Sequence, residues 1–306
     1  MSIGNRFDGL TEFAETVRAG SFSAAAAALG ITASAVGKSV SRLEARLGTK
    51  LLHRTTRSLT LTNEGEAYLA ACMNVLDELE SAEGTIAVGR SVPVGRVRID
   101  LPGAFGRRHV LPTVLDLSRL HPRLDLSVTF SERLVDIFAE GTDVAVRIGE
   151  LRDDTGLVAR RLGSQRLVIC ASPSYLAENG VPRDEAELLE RDCIGGIRRD
   201  QRMSWLMKSK DGSTFMQEVK GRHEFNDGMA MVDAVLAGCG LSQLPTWLVG
   251  EHLRSGALVP VLEQHAGAEM PIHVVWPQSR YVKPKLRVLI DALVQVARLD
   301  NSGFHP

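Results

Sequence analysis

The segment from Gly30 to Glu44, GITASAVGKSVSRLE, holds Gly37-Lys38-Ser39 in the order that ends a phosphate-binding loop. Such a loop cradles phosphates on backbone N–H groups and reaches their far oxygens with its lysine. The spacing G-x-x-x-x-G-K-[ST] puts the first glycine at position 32, which is Thr32, and Gly30 lies two residues too far upstream. The loop must also leave a buried strand, yet the preceding residues are Ser23 and five alanines, Ala24 to Ala28, which favour helix. Nucleotide chemistry at this triplet fails on spacing and on context. Other catalytic constellations fail too. There is no G-x-S-x-G elbow, and Gly238-Cys239-Gly240 is followed by Gln243 where a dinucleotide fingerprint needs glycine. The eight histidines show no H-x-x-x-H spacing, and adjacent Asp153-Asp154 reads as a solvated loop. Cys72, Cys170, Cys193 and Cys239 form no C-x-x-C pair, which argues against zinc or a disulfide scaffold. Inert buried thiols are the common reading of such cysteines and a redox-sensing pair the alternative. No enzyme activity, metal or cofactor is expected.

The chemistry that survives is electrostatic. Residues 1 to 63 carry eight basic and four acidic side chains, a balance of +4, in a chain of net charge −1, so the rest carries −5. Lys38, Arg42, Arg46, Lys50, Arg54 and Arg57 fall within twenty residues, with Glu44 the only anion among them. A local basic patch on a near-neutral protein is the footprint of a nucleic-acid module; the bland reading is a solvated helix face.

Three short helices must position that patch. Leu10, Phe13, Ala14 and Val17 fall on one stripe, and Gly20 ends the first helix. Ser21 or Ser23 caps a second through the alanines to Leu29. After Gly30 and a buried Ile31, Thr32 caps a third helix with Val36, Val40, Leu43 and Leu47 inward and Gly48 as its stop. Small alanines let two helices cross closely, as a helix-turn-helix requires. The third helix is then the recognition helix, with Ala33, Ser34, Gly37, Lys38, Ser41 and Arg42 outward over the major groove. Leu51-Leu52 and Ser58 to Thr62 alternate as a hairpin, a wing presenting Arg54 and Arg57 to the DNA backbone or minor groove. DNA-binding candidates are thus Ser23, Thr32, Ala33, Ser34, Gly37, Lys38, Ser41, Arg42, Arg54 and Arg57.

The run from Phe7 to Gly65 resembles the amino-terminal domain of LysR-type transcriptional regulators. Phe13, Gly20-Ser21-Phe22, Ala25-Ala26, Leu29, Ala35-Val36, Leu43-Glu44, Leu47-Gly48, Leu51, Arg54, Leu61-Thr62 and Gly65 carry the resemblance. It departs at Gly37, where the family usually has serine; a DNA contact made by that serine in relatives would be absent here.

From Glu64 to about Gly89 one long helix is expected. Tyr68, Cys72, Val75, Leu79, Ala82 and Ile86 recur as a heptad seam. The seam packs either on its own domain or on a second copy. Family resemblance favours a homodimer, with Tyr68, Cys72, Val75 and Leu79 as its helix contacts and an interrupted palindrome as its target.

Ser91 to Gly95 reads as a hinge. Beyond it, apolar strand runs alternate with helical patterns, the mark of α/β with a largely parallel sheet. Expected strands are Val97–Leu101, Leu124–Phe130, Val144–Ile148 and Ile272–Trp276. Expected helices run from Phe105 through Leu117, over 134–140, from Asp227 through Leu236 and over 285–298. GRVRIDLPGAFGRRHVLPTV, EGTDVAVRIG, VICASPSYLAENGVP and GCGLSQLP are similar to the family's effector-binding domain, which has the two-lobed fold of periplasmic solute receptors. The implied organisation is a winged helix-turn-helix over 1–63 and a linker helix and hinge over 64–92. A two-lobed α/β domain follows over 93–306, with lobe I at about 93–162 and 267–306 and lobe II at about 163–266.

Open α/β sheets bind ligands beyond the carboxyl ends of their strands. That rule selects Gly103, Ala104, Phe105, Phe130, Ser131, Arg147, Ile148, Gly149, Asn226, Asp227, Gln243 and Pro245. Arg147 either pairs with an anionic ligand or braces the hinge, and helix N-termini at 103–106 and 226–228 favour anions. The family often has a hydroxyl residue near the first strand end, where this chain has Ala104. The resemblance implies a cytoplasmic regulator with four kinds of partner: promoter DNA, a small and anionic effector, a homodimer or homotetramer, and RNA polymerase. No partner membrane is expected, since no apolar run approaches a span and no secretory leader precedes Asp8. The alternative is a solute-binding module with no role on DNA.

Overall fold

A computed structural model describes residues 7–54, 59–88, 93–132, 136–138, 140–151, 156–197, 202–209, 211–279, 282–299 and 303–305. Arg57 at the wing tip, Ser91-Val92 of the hinge, Asp153-Asp154 and most of the expected 134–140 helix lie outside these residues. Of the latter, residues 137, 138 and 140 lie in turns. The chain divides into two compact units, 1–95 and 96–306.

In the first unit, α1 (Leu10–Ala19), α2 (Phe22–Leu29) and α3 (Ala33–Leu47) follow the caps read in the sequence. The Ser21 hydroxyl accepts from Ala24 N–H at 3.1 Å and Thr32 Oγ1 from Ala35 N–H at 3.2 Å. Phe13, Ala25, Val36, Val40 and Leu43 fill the core between them. Two expectations are corrected here. Ile31 is 42% exposed and is no plug, because Ala25 and Ala26 already close the contact between the helices. Leu47 is 39% exposed; Leu51 and Leu52 close that end of the core instead.

Strands β1 (Leu52–Arg54) and β2 (Leu59–Leu61) pair antiparallel, Leu52 opposite Leu61. Helix α4 (Asn63–Val88) follows. Its first turns lay Tyr68, Leu69, Cys72, Val75 and Leu76 on the same core, with the Phe13 and Tyr68 rings 5.9 Å apart. Of the residues expected at a partner helix, Cys72 is buried in its own domain, and Tyr68 and Val75 pack half-buried against the same core. A heptad seam and a core-facing stripe coincide over three turns, so the pattern could not separate them. Leu79 is 49% exposed, and the side chains from Glu80 to the end of α4 lie outside the described residues.

The second unit opens with β3 (Gly95–Leu101), and α5 (Gly103–Phe105) runs through a π-helical turn at Gly106–Val110 into α6 (Leu111–Leu120). Next come β4 (Leu124–Phe130), β5 (Val144–Ile148) and the fifteen-residue β6 (Leu157–Ala171). Short helices α7 (Pro173–Asn179) and α8 (Glu185–Leu189) lead to β7 (Cys193–Gly196) and the hairpin β8 (Ser204–Lys208) and β9 (Thr214–Glu218). After β10 (Gly221–Phe225) stand α9 (Gly228–Leu236), β11 (Leu241–Pro245), α10 (Thr246–Arg254) and β12 (Val259–Val261). The chain returns through β13 (Glu269–Pro277) and α11 (Pro284–Ala297).

The main strands run β10-β7-β11-β6-β13-β5-β3-β4, with β12 also on β6. This sheet is mixed, which corrects the largely parallel expectation. β3/β5, β7/β10 and β7/β11 are parallel, whereas β13 runs antiparallel to β5 and β6, and β11 and β12 antiparallel to β6. The reason is β6: residues 157–166 pair with β13, and 167–171 pair with β11 and β12. One strand thus joins two cores, the first around Ile99, Phe105, Val146 and Leu293, the second around Cys170, Val232 and Leu244.

His273, in β13 between Arg147 and Arg161, has a buried Nδ1 without a hydrogen-bond partner. Burial, then Arg161, holds its pKa below the usual 6.5, against a smaller opposing effect of Glu150. The folded chain therefore binds fewer protons than the unfolded one below that value, so stability falls as pH drops through it. The melting temperature of this unit is expected to fall between pH 7 and pH 5, and His273→Gln to remove part of that fall. Identical pH profiles in a calorimeter would refute the assignment.

Candidate nucleic-acid interface and effector cleft

The outer face of α3 forms a shallow depression lined by Ser34, Gly37, Lys38, Ser41, Arg42 and Ala45. These positions follow the helical repeat along one stripe, opposite buried Val36, Val40 and Leu43. Sequence reading found all of them except Ala45, a small residue that extends the stripe by one turn. Ala33 and Thr32 are exposed at its N-terminal end, and Ser23 is exposed near the start of α2. A Cβ built on Gly37 meets nothing within 4 Å, so no packing inside the domain requires glycine there. Its cost of about 1 kcal/mol in helix propensity is not offset within the unit.

The basic patch separates into two kinds of side chain. Arg46 donates to the Asp8 carbonyl, and Lys50 donates to Glu44 at 2.9 Å. Lys38 and Arg42 are exposed, and neither makes an ion pair among the described residues. Arg54 belongs to β1, but its side chain, like Arg57, lies outside the described residues. Glu44, the lone anion of the patch, is buried and ties α3 to β1: its carboxylate accepts from Leu51 N–H at 3.0 Å and Leu52 N–H at 3.2 Å.

In the second unit a cavity of about 250 Å³ lies between the ends of β3, β5, β7 and β11 and the middle of β6. Ala104, Phe105, Ile148, Gln243 and Pro245 line it, as the strand-end rule selected. Gly103, Phe130, Ser131, Arg147, Gly149, Asn226 and Asp227 do not. Arg147 is buried and donates to Asp100 Oδ2 at 2.5 Å, which corrects its reading as an anion ligand in favour of an internal brace. Gly149 donates to the Pro271 carbonyl, Ser131 to the Leu101 carbonyl, and Phe130 lies under the Arg107 guanidinium.

At each of the two helix N-termini expected to take an anion, a carboxylate of this chain already accepts from one backbone N–H. Gly103 N–H donates to Glu132 Oε1 at 2.8 Å, and Asp227 caps α9 by accepting from Ala230 N–H at 2.9 Å. The Gln243 amide is also used, bridging to the backbone N–H and C=O of Leu206 on β8. Sequence reading missed Glu132, Gln165, Met203, Trp205, Trp247 and Met270, all in the lining. Trp247 donates to Gln165 Oε1 at 2.9 Å and meets Phe105 edge-on at 5.5 Å. Burial raises the Glu132 pKa, the Gly103 N–H opposes this, and Asp227 adds to it.

Burial also pushes the thiols up, to about 11 for Cys72 and about 12 for Cys170 and Cys193. Such protonated thiols are poor nucleophiles. Among the described residues no group of three or more His, Cys, Asp or Glu is placed to hold a metal ion.

Comparison with known proteins accounts for both surfaces. The model of the bacterial regulatory helix-turn-helix protein, lysR family, matches residues 7–66, and that of the LysR substrate binding domain matches 90–298. The regulator CrgA of Neisseria meningitidis (serogroup C, strain 8013) is 34% identical over 287 residues, covering 94% of this chain and 95% of CrgA. The regulator DmlR of Escherichia coli K12 is 33% identical over 291 residues, covering 94% and 92%. The solved structure of CrgA, a LysR-type transcriptional regulator from Neisseria meningitidis, aligns over 95% of this chain and 98% of its own with a TM-score of 0.59 and 33% identity. A helix-turn-helix at one end disfavours a bare solute-binding module, and these relatives are regulators rather than enzymes. Two family models end to end, and relatives alike over nearly their whole length, show that this chain belongs to the LysR family of bacterial transcriptional regulators.

Proposed function

We propose that α3 enters the major groove with Ala33, Ser34, Gly37 and Ser41 over base edges. Lys38, Arg42 and the wing residues Arg54 and Arg57 then meet phosphates, flanked by Ser23 and Thr32. The observation that carries this reading is the exposed stripe of α3, where Lys38 and Arg42 have no ion-pair partner among the described residues, beside a glycine whose Cβ would meet nothing within 4 Å. Each cation that neutralises a phosphate releases counterions, so binding weakens with salt in proportion to their number.

In this reading 1–63 is the DNA-binding domain, 64–92 the linker and hinge, and 93–306 the effector domain. A small molecule in the cleft shifts the population of two arrangements of the lobes and changes how an oligomer, dimer or tetramer, presents its recognition helices. RNA polymerase on the neighbouring promoter is the further contact. A DNA target places the protein in the cytoplasm, in keeping with four cysteines outside any disulfide. Among the described residues no helix is long and apolar enough to cross a membrane.

The test is anisotropy of a labelled duplex from upstream of the protein's own gene, titrated across a salt series against random competitor. Binding is expected to survive competitor. Lys38→Ala and Arg42→Ala are each expected to lower the slope of log K against log salt by about 1. If both variants keep the full slope, α3 does not lie on DNA in this way.

A further inference from the structure

The cleft was expected to hold an anion, yet its chemistry has the opposite sign. Three features suggested an anion: Arg147 and the helix N-termini at 103–106 and 226–228. Each is engaged by a carboxylate of this chain, Asp100, Glu132 and Asp227 respectively. Among the described lining residues there is no lysine, arginine or histidine, and the one charged side chain is Glu132. A carboxylate ligand would leave water to meet a carboxylate with no cation among those residues to offset the cost.

The remaining walls suit a positive charge. Three aromatic residues, Phe105, Trp205 and Trp247, and three thioether residues, Met203, Met231 and Met270, belong to the lining. Aromatic faces attract cations, and thioethers adapt to flat apolar bodies. Among the described residues the Gln165 side-chain N–H₂ meets only the Met270 sulfur, 4.0 Å away, and serves as a secondary donor. A volume of about 250 Å³ suits a single-ring molecule, being just under the range of about 300–1,000 Å³ common for ligand pockets.

We propose that the effector is a small organic cation, a protonated amine or amidine on a flat apolar body, whose charged end meets the Glu132 carboxylate and whose body lies among Phe105, Trp205 and Trp247. This inference rests on the reading of the cleft as the effector site.

The test uses three near-isosteric probes on the full chain: benzamidine, benzamide and benzoate, titrated by calorimetry and by ligand-observed NMR. Benzamidine is expected to bind at least about tenfold tighter than benzoate, since their charges have opposite signs relative to Glu132 in a partly desolvated site. Glu132→Gln keeps an oxygen acceptor for Gly103 N–H and is expected to erase the advantage of benzamidine over benzamide. The proposal is overturned by benzoate binding as tightly as benzamidine, by an unchanged benzamidine affinity in Glu132→Gln, or by no benzamidine binding at millimolar concentration. Ala104→Trp and Met231→Trp, each checked for folding by circular dichroism, fill the cavity and are expected to abolish benzamidine binding. If the probe still binds both, its site lies elsewhere, and the cleft reading fails separately from the sign of the charge.

Discussion

Glu44→Ala is expected to destabilise the DNA-binding unit by about 3 kcal/mol, more than any change on its exposed surface. The Glu44 side chain is 2% exposed and sits in α3, facing inward. Its carboxylate receives the backbone N–H groups of Leu51 and Leu52, both buried, so truncation strands donors that water cannot reach. The partner Lys50 is 72% exposed, so the ion pair itself contributes little. Lys50→Ala is therefore expected to cost under about 1 kcal/mol, and the contrast assigns the effect to the backbone bonds. For a unit of this size each kcal/mol moves the melting temperature by about 4–8 °C. Scanning calorimetry of the full chain should show one transition of Glu44→Ala displaced downward and the effector unit's transition unmoved. If the Glu44→Ala and Lys50→Ala profiles coincide, the carboxylate does not hold α3 to the wing. DNA affinity should fall in parallel, because the same bonds set how the wing stands beside the recognition helix.

The second large effect is expected at Gly163. A Cβ built there lies 1.9 Å from the Phe304 carbonyl oxygen, a backbone atom that cannot rotate away. That carbonyl accepts from Ser164 N–H at 2.9 Å, and the Phe304 ring is fully buried, edge-on to Phe105 at 5.2 Å. Gly163→Ala must push residues 303–305 off β6, exposing a phenylalanine worth roughly 1.5–3 kcal/mol of burial and breaking a hydrogen bond worth about 1. Phe304→Ala should cost about 3–5 kcal/mol by loss of the ring alone. If the methyl acts by expelling Phe304, the double variant is hardly worse than the worse single one. Additive losses in denaturant titrations would show that alanine at 163 disturbs β6 by another route. Because Phe304 supports Phe105, which lines the cavity, either variant should also weaken binding in the cleft.

The first unit was readable because its signals are local. Ser21 and Thr32 cap three residues ahead, and the α3 stripe repeats with the helix, so the outward residues from Ser34 to Arg42 followed from spacing. The errors at Ile31 and Leu47 have one cause: apolar residues are often exposed, so an apolar letter does not prove burial. In the second unit, strands Val97–Leu101, Leu124–Phe130 and Val144–Ile148 showed in their apolar runs. The hairpin of Ser204–Lys208 and Thr214–Glu218 was overlooked, although Asp211-Gly212 between two alternating runs is a turn signal that could have revealed it. The cleft was half legible. Strand ends are visible in a sequence, and Ala104, Ile148 and Pro245 followed from them. The partners that decide its charge are not: Asp100 reaches Arg147 across 47 residues, and Glu132 reaches Gly103 across 29. A motif shows which groups are present, but not which of them have already met.

Two of the chain's three tryptophans, Trp205 and Trp247, line the cavity, and the third, Trp276, packs into the core from β13. The protein thus carries its own optical probe. Displacing water from the half-buried Trp247 indole should shift and quench its emission, while Trp276 supplies a steady background. Libraries of unmodified metabolites can then be screened by intrinsic emission alone, and Trp205→Phe and Trp247→Phe tell which wall of the cavity a compound touches.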